Sequence, residues 1–157
     1  MFQHLDGLNG FKVADLQERE VVATVRHSRS LGWFLLPLKK LGWLGPHGLN
    51  RCHGLAVRPG AAEVWSACGE RVNVHRIAET GYPEIHSIGV PDDAYWLTFS
   101  PDGRYAFVAI TQRDAVAMVD ARTRRVVRML EVGDGPKRNL VLSAAGAPAS
   151  TRASDRP

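Results

Sequence analysis

The chain has 157 residues, 45% hydrophobic and 23% charged, with 15 Gly, 9 Pro and 2 Cys. This composition excludes a collagen-like, a disulfide-stapled and a wholly disordered polypeptide, and it allows a sizeable core. The formal net charge of +4 rests on arginines that are scattered rather than gathered into a stripe, so no nucleic-acid partner is expected. Residues 1–7 show no basic segment leading into an apolar run, hence no visible export signal. The most apolar stretch, 31–44, is interrupted by Pro37, Lys39 and Lys40 and is too short to cross a bilayer.

Short apolar runs separated by turn residues fill the rest, with no helix-length stripe. Strands are expected at 1–5, at 11–16 after the Asn9-Gly10 turn, and at 20–25. Segment 27–51, with Trp33, Phe34 and Trp43, reads as a long insertion, either a lid or partner-docking loop or padding over its own layer. Further strands are expected at 53–58, 63–68, 71–77 and 84–88, then at 95–100, 105–110, 115–120 and 126–130, with one more at 139–143. The tail 144–157 is rich in Ala, Ser, Pro and Arg and is expected to lack order.

Two elements recur. The hairpin around Ser100-Pro101-Asp102-Gly103-Arg104 has a counterpart around Arg58-Pro59-Gly60, in which Trp65 aligns with Phe107 and Ala67 with Ala109. Pro presets φ for such a turn and Gly103 can take positive φ without steric cost. Val13-Ala14-Asp15-Leu16 followed by Val21-Val22 matches Met118-Val119-Asp120-Ala121 followed by Val126-Val127. Four strands in a period of about forty residues are the signature of a β-propeller.

Phe99-Ser100-Pro101-Asp102-Gly103-Arg104-Tyr105-Ala106-Phe107-Val108, followed by Val116 to Asp120, Arg125-Val126-Val127, Val132-Gly133 and Gly135-Pro136, resembles a YVTN-family (YncE-like) β-propeller repeat. The resemblance implies an all-β, WD40-like partial propeller of four-stranded antiparallel blades. Residues 1–26 would form strands two to four of one blade, 52–90 and 91–134 two further blades, and 135–143 the first strand of another. About three blades cannot close a ring, so the chain is expected to be part of a larger propeller, with assembly of several copies as the alternative. The family is usually periplasmic or extracellular. It implies a non-enzymatic scaffold for ligand or protein binding; the competing class is a propeller enzyme, similar to quinoprotein amine dehydrogenase heavy chains or to lactonases.

No G-x-S-x-G elbow, Walker loop or G-x-G-x-x-G is present, and the six histidines lack helical zinc spacing, so no catalytic residue, cofactor or metal ligand is assigned. With Arg58 opposite Glu63, Cys52 would face Gly69 and Cys68 would face His53. That puts the sulfurs on opposite sides, so two buried thiols are expected rather than a disulfide unless a bulge in the turn intervenes. Asp15, Asp120, Asp102 and Gly103 are assigned to turn structure, and Trp65 and Phe107 to core between blades.

The repeat alignment places His53, Tyr95 and Arg138 at equivalent positions, followed by Gly54, Trp96 and Asn139. In a propeller these positions gather at one mouth of the central channel. With Lys137 beside them, they form the candidate site for a small polar or anionic ligand.

Overall fold

The computed structural model describes residues 1–28 and 52–142. Most of the expected insertion and the whole 144–157 tail therefore lie outside the described residues. The strands are β1 (Phe2–Gln3), β2 (Gly10–Asp15), β3 (Glu20–Arg26), β4 (Cys52–Val57), β5 (Glu63–Arg76), β6 (Glu84–Phe99), β7 (Tyr105–Ile110), β8 (Ala115–Asp120) and β9 (Arg125–Glu131). All pairings are antiparallel: β1-β2-β3 form one sheet and β4-β5-β6-β7-β8-β9 the other. A single 3-10 turn, Thr111–Arg113, is the only helix among the described residues.

Two expected breaks are absent, because β5 and β6 each run through a position where separate strands were anticipated. Fully extended, the 14 residues of β5 would span roughly 45 Å. Yet Ile77 N donates to Ala62 O at 2.8 Å, so the two limbs of β5 lie side by side. The reversal falls at Gly69, whose φ of 57° a side chain would resist. The limbs then serve different neighbours, since 64–68 pair with β4 while 69–75 pair with β6.

The six-stranded sheet also packs on itself. Trp65 of β5 meets Phe99 of β6 edge to face at 5.1 Å between ring centres. The buried cluster around them joins β5, β6, β7 and β8 through Val72, Val74, Leu97, Val108 and Val119. Two recurrent turns stack directly: a Cβ on Gly103 would collide with the carbonyl oxygen of Pro59, and Arg58 Nε donates to Gly103 O at 2.9 Å. Glu63 takes Arg124 at 3.0 Å, Arg58 at 3.4 Å and the Trp65 indole N–H at 3.0 Å, so the two layers are tied at one end by charge.

A second apolar cluster joins the sheets. Phe11, Val13 and Val25 from the first sheet bury against Val64, with Phe2, Leu55, Ile77 and Tyr82 at the margin. Each such side chain taken from water contributes about 1.5–3 kcal/mol.

Two anticipated features differ. Residues 139–142 form no strand, and Leu140 and Leu142 are 78% and 76% exposed; a strand needs a paired neighbour, and this segment has none among the described residues. Trp65 is fully buried, but Phe107, its repeat counterpart, is only half-buried. Asn139 Nδ2 donates to its backbone carbonyl at 2.9 Å.

The stacked turns yield a paired test. Gly60 has φ 70° and open space where a methyl group would stand, whereas Gly103 has φ 65° and the Pro59 carbonyl in the way. Gly60→Ala should cost about 1 kcal/mol, the left-handed penalty alone, and Gly103→Ala at least twice that, read from urea unfolding midpoints.

Candidate functional site

The recurrent Asp residues close two matching hairpins. Asp15 Oδ1 accepts from the N–H groups of Gln17 at 2.8 Å and Glu18 at 3.2 Å; Asp120 Oδ1 accepts from those of Arg122 at 2.9 Å and Thr123 at 2.7 Å. These bonds hold both carboxyls below the usual carboxylate range. Four residues on, Arg19 and Arg124 both take left-handed φ, 58° and 56°. The register slips at Val13/Ala14 and at Met118/Val119, the same repeat position. Asp102 Oδ1 likewise accepts from Ser100 Oγ at 2.6 Å and from Arg104 N at 3.0 Å, while Gly103 has φ 65°.

The six candidate ligand residues lie together. The His53 and Tyr95 rings stack at 4.2 Å with planes 20° apart. Lys137 Nζ sits 6.0 Å from the Tyr95 ring centre, and the Arg138 guanidinium 5.1 Å from that of Trp96. Asn139 donates through Nδ2 to Phe107 O at 2.9 Å, and its buried Oδ1 accepts from nothing among the described residues. The layers meet tightly here because β4 carries Gly54, where a Cβ would lie 2.8 Å from the Trp96 Cα and the Leu97 N. Among the described residues neither cation is held by a carboxylate. The patch therefore combines a stacked ring pair and an indole with two positive charges that retain their capacity for an anion.

The cysteines require a correction. From Val57↔Val64 to Gly54↔Ala67 the register is the expected one, but a bulge at His53 brings Cys52 opposite Cys68, and the two form a disulfide. The extra residue lies at the start of β4 rather than in the turn, and a slip of one residue reverses the face on which a side chain emerges.

The sequence pattern did not reveal a buried polar seam between the two sheets. His27, just after β3, is 5% exposed, and His75 in β5 is fully buried. His75 Nδ1 lies 2.8 Å from the Tyr82 carbonyl, which can only accept, so this nitrogen carries the proton. His75 Nε2 then accepts from His27 Nδ1 at 2.9 Å, and Ser66 Oγ donates to His27 Nε2 at 2.9 Å. Ser66 Oγ also lies 3.1 Å from Cys68 Sγ and 3.3 Å from His4 Nε2, while the two His4 nitrogens face the Gly10 and Gly54 carbonyls at 2.7 and 3.2 Å. Glu84 completes the seam, with Oε2 3.9 Å from His75 Nε2 and both oxygens accepting from Ser28.

Burial, reinforced by the neighbouring His75, pushes His27 down to about 3. Burial also lowers His4 and His75. For Glu84 burial acts upward, but the bonds from Ser28 and Asn73 and the facing His75 outweigh it, leaving the carboxyl below its ordinary value. His75 and Glu84 face each other across the paired strands β5 and β6, but no sequence spacing signals His27, which follows β3 and meets them only where the two sheets stack.

No family model matches the chain, and no curated protein matches it. Among solved structures it is similar to the hydrazine synthase of Kuenenia stuttgartiensis, with TM-score 0.62 and 21% identity over 82% of this chain and 32% of that one. The chain thus spans about a third of the length of that neighbour. A likeness to U3-55K covers 56% of this chain and 28% of the other at 16% identity, with TM-score 0.49, too partial to bear on the fold. The two antiparallel sheets and the hydrazine synthase likeness fit a β-propeller-like fold. No helix among the described residues is long and apolar enough to cross a membrane.

Two measurements probe the seam and its disulfide. Reduction of Cys52–Cys68, separated by 16 positions, should destabilise the fold by about 3 kcal/mol in the loop-entropy treatment, seen as a lower melting temperature with dithiothreitol. The buried histidines set a pH dependence. Their folded pKa values lie below the unfolded value of 6.5, so the unfolded chain binds more protons once the pH drops past that point. Their contribution is complete above about 6.5 and is lost as pH falls toward the His27 value of about 3. In chelator-treated buffer the urea midpoint should fall from pH 7 to pH 4, and fall less steeply in His27→Gln.

Proposed function

We propose that the chain is an arc of a YVTN-type β-propeller and serves as a non-enzymatic binding scaffold, with the ring-and-cation patch as its ligand edge. In this reading β4, the two limbs of β5 and the first limb of β6 make one four-stranded blade. The second limb of β6 with β7, β8 and β9 makes the next. Segment 139–142, unpaired in the chain by itself, would become the first strand of a further blade, and its two exposed leucines would be covered once neighbouring blades, from this or another chain, complete the ring.

The observation that carries the reading is the convergence of equivalent repeat positions. His53, Tyr95 and Arg138, with Trp96, Lys137 and Asn139, supply stacked rings, two cations and a buried amide oxygen at one edge. That combination suits a small anion bearing a flat group, the ring faces taking the plane and the cations the charge. Benzoate and inorganic phosphate separate these contributions by calorimetry. Benzoate should bind more tightly than phosphate, and Arg138→Ala and His53→Ala should each weaken it about tenfold, the scale of one charge-assisted or stacking contact. Affinity unmoved by both substitutions, or no binding by the unaltered chain, overturns the assignment.

A further inference from the structure

We infer that the seam between the sheets is a binding site for a divalent metal ion of the zinc class, held by His27, His75 and Glu84. The site is separate from the ring-and-cation patch and does not depend on the function proposed for that patch.

One ligand atom from each of the three residues lies within 4.8 Å of the others, and each residue is fixed from behind. His75 is anchored by its Nδ1–H on the Tyr82 carbonyl, which directs the lone pair of Nε2 inward. His27 is anchored through Nε2 on Ser66, which turns Nδ1 toward the same point. Glu84 is held by the Ser28 N–H and hydroxyl, and its oxygens keep lone pairs for another partner. Imidazoles braced by a carbonyl and a hydroxyl, with a braced carboxylate, are the outer arrangement that metal-binding histidines carry.

Two histidines and a carboxylate are a donor set for zinc and its first-row neighbours, with a fourth position left for water or another ligand. Metal–nitrogen bonds of about 2.0–2.1 Å in a tetrahedron place ligand atoms roughly 3.3 Å apart. The present separations are 2.9 Å between the imidazole nitrogens and 3.9 Å from His75 Nε2 to Glu84 Oε2. Two of the three separations thus lie within about 0.6 Å of the tetrahedral value, and the third is no greater than 4.8 Å, so side-chain adjustment alone can bring the three donors onto one ion.

The proton balance also closes within the seam. The ion takes the place of the proton on His27 Nδ1, which moves to Nε2 and is donated to Ser66 Oγ. The Ser66 hydroxyl then turns its own proton to Cys68 Sγ, already 3.1 Å away. No proton leaves the protein, and no buried nitrogen is stranded.

The test uses the full untagged chain with its disulfide intact, stripped with chelator and titrated with Zn²⁺ by calorimetry. The same preparation loaded with Co²⁺ is read by its visible spectrum. One equivalent of Zn²⁺ should bind and raise the melting temperature, because the ion links β3 to β5 and β6. Glu84→Gln should weaken binding at least ~10-fold and His75→Gln more, since even outer partners of metal sites act on that scale. The Co²⁺ form should show tetrahedral bands without sulfur-to-cobalt charge transfer. Two results would overturn the assignment: no stoichiometric Zn²⁺, or unchanged affinity in folded Glu84→Gln. If neither variant folds, X-ray absorption on the zinc-loaded unaltered chain decides, a shell with two imidazoles and only nitrogen and oxygen donors supporting the site and any other shell refuting it.

Discussion

Val64, Trp65, Ser66 and Ala67 are buried in succession along β5, so side chains that leave the strand on opposite faces are both out of water. A lone sheet satisfies only one face. The other must be met by a second layer, and the chain supplies one on each side: the β6–β9 limb over Trp65, and the β1–β3 sheet over Val64. From this double burial follow the doubling back of β5, the close contact at Gly54 and Gly103, and the need for every polar group between the layers to find a partner. The charged tie of Glu63 with Arg58 and Arg124, and the histidine seam, are two answers to that last demand.

Much of this was legible from residue order. Turn chemistry and alternation mark the strands, and the recurrence of Asp15 and Asp120 extends to the same hydrogen bonds, the same bulge and the same left-handed residue four places on. Repetition makes one local solution readable twice. Of the three aligned positions His53, Tyr95 and Arg138, the first two stack on one another and the third lies over the neighbouring Trp96 ring.

What was not legible depends on single-residue events and on contact between layers. The bulge at His53 reverses the face of Cys52 and converts two expected thiols into a disulfide; neither composition nor alternation announces one extra residue in a strand. His75 and Glu84 are cross-strand partners in β5 and β6, but His27 shares no spacing with them and joins only where the chain after β3 meets the second sheet. The described residues of the strand expected at 139–143, 139–142, are not in a strand, for a complementary reason. Its residues are suitable, but strand structure is a property of a pair.

The bulge has a thermodynamic side. His53 is the one residue of β4 skipped by the register with β5, and it sits next to a covalently bonded Cys52 on one side and to Gly54, pressed on the Trp96 backbone, on the other. Such a residue has little backbone freedom left to lose. The ring stacked on Tyr95 is held in place by a neighbouring covalent link, so, in the binding role proposed above, a guest would not have to spend its own binding energy on ordering the host.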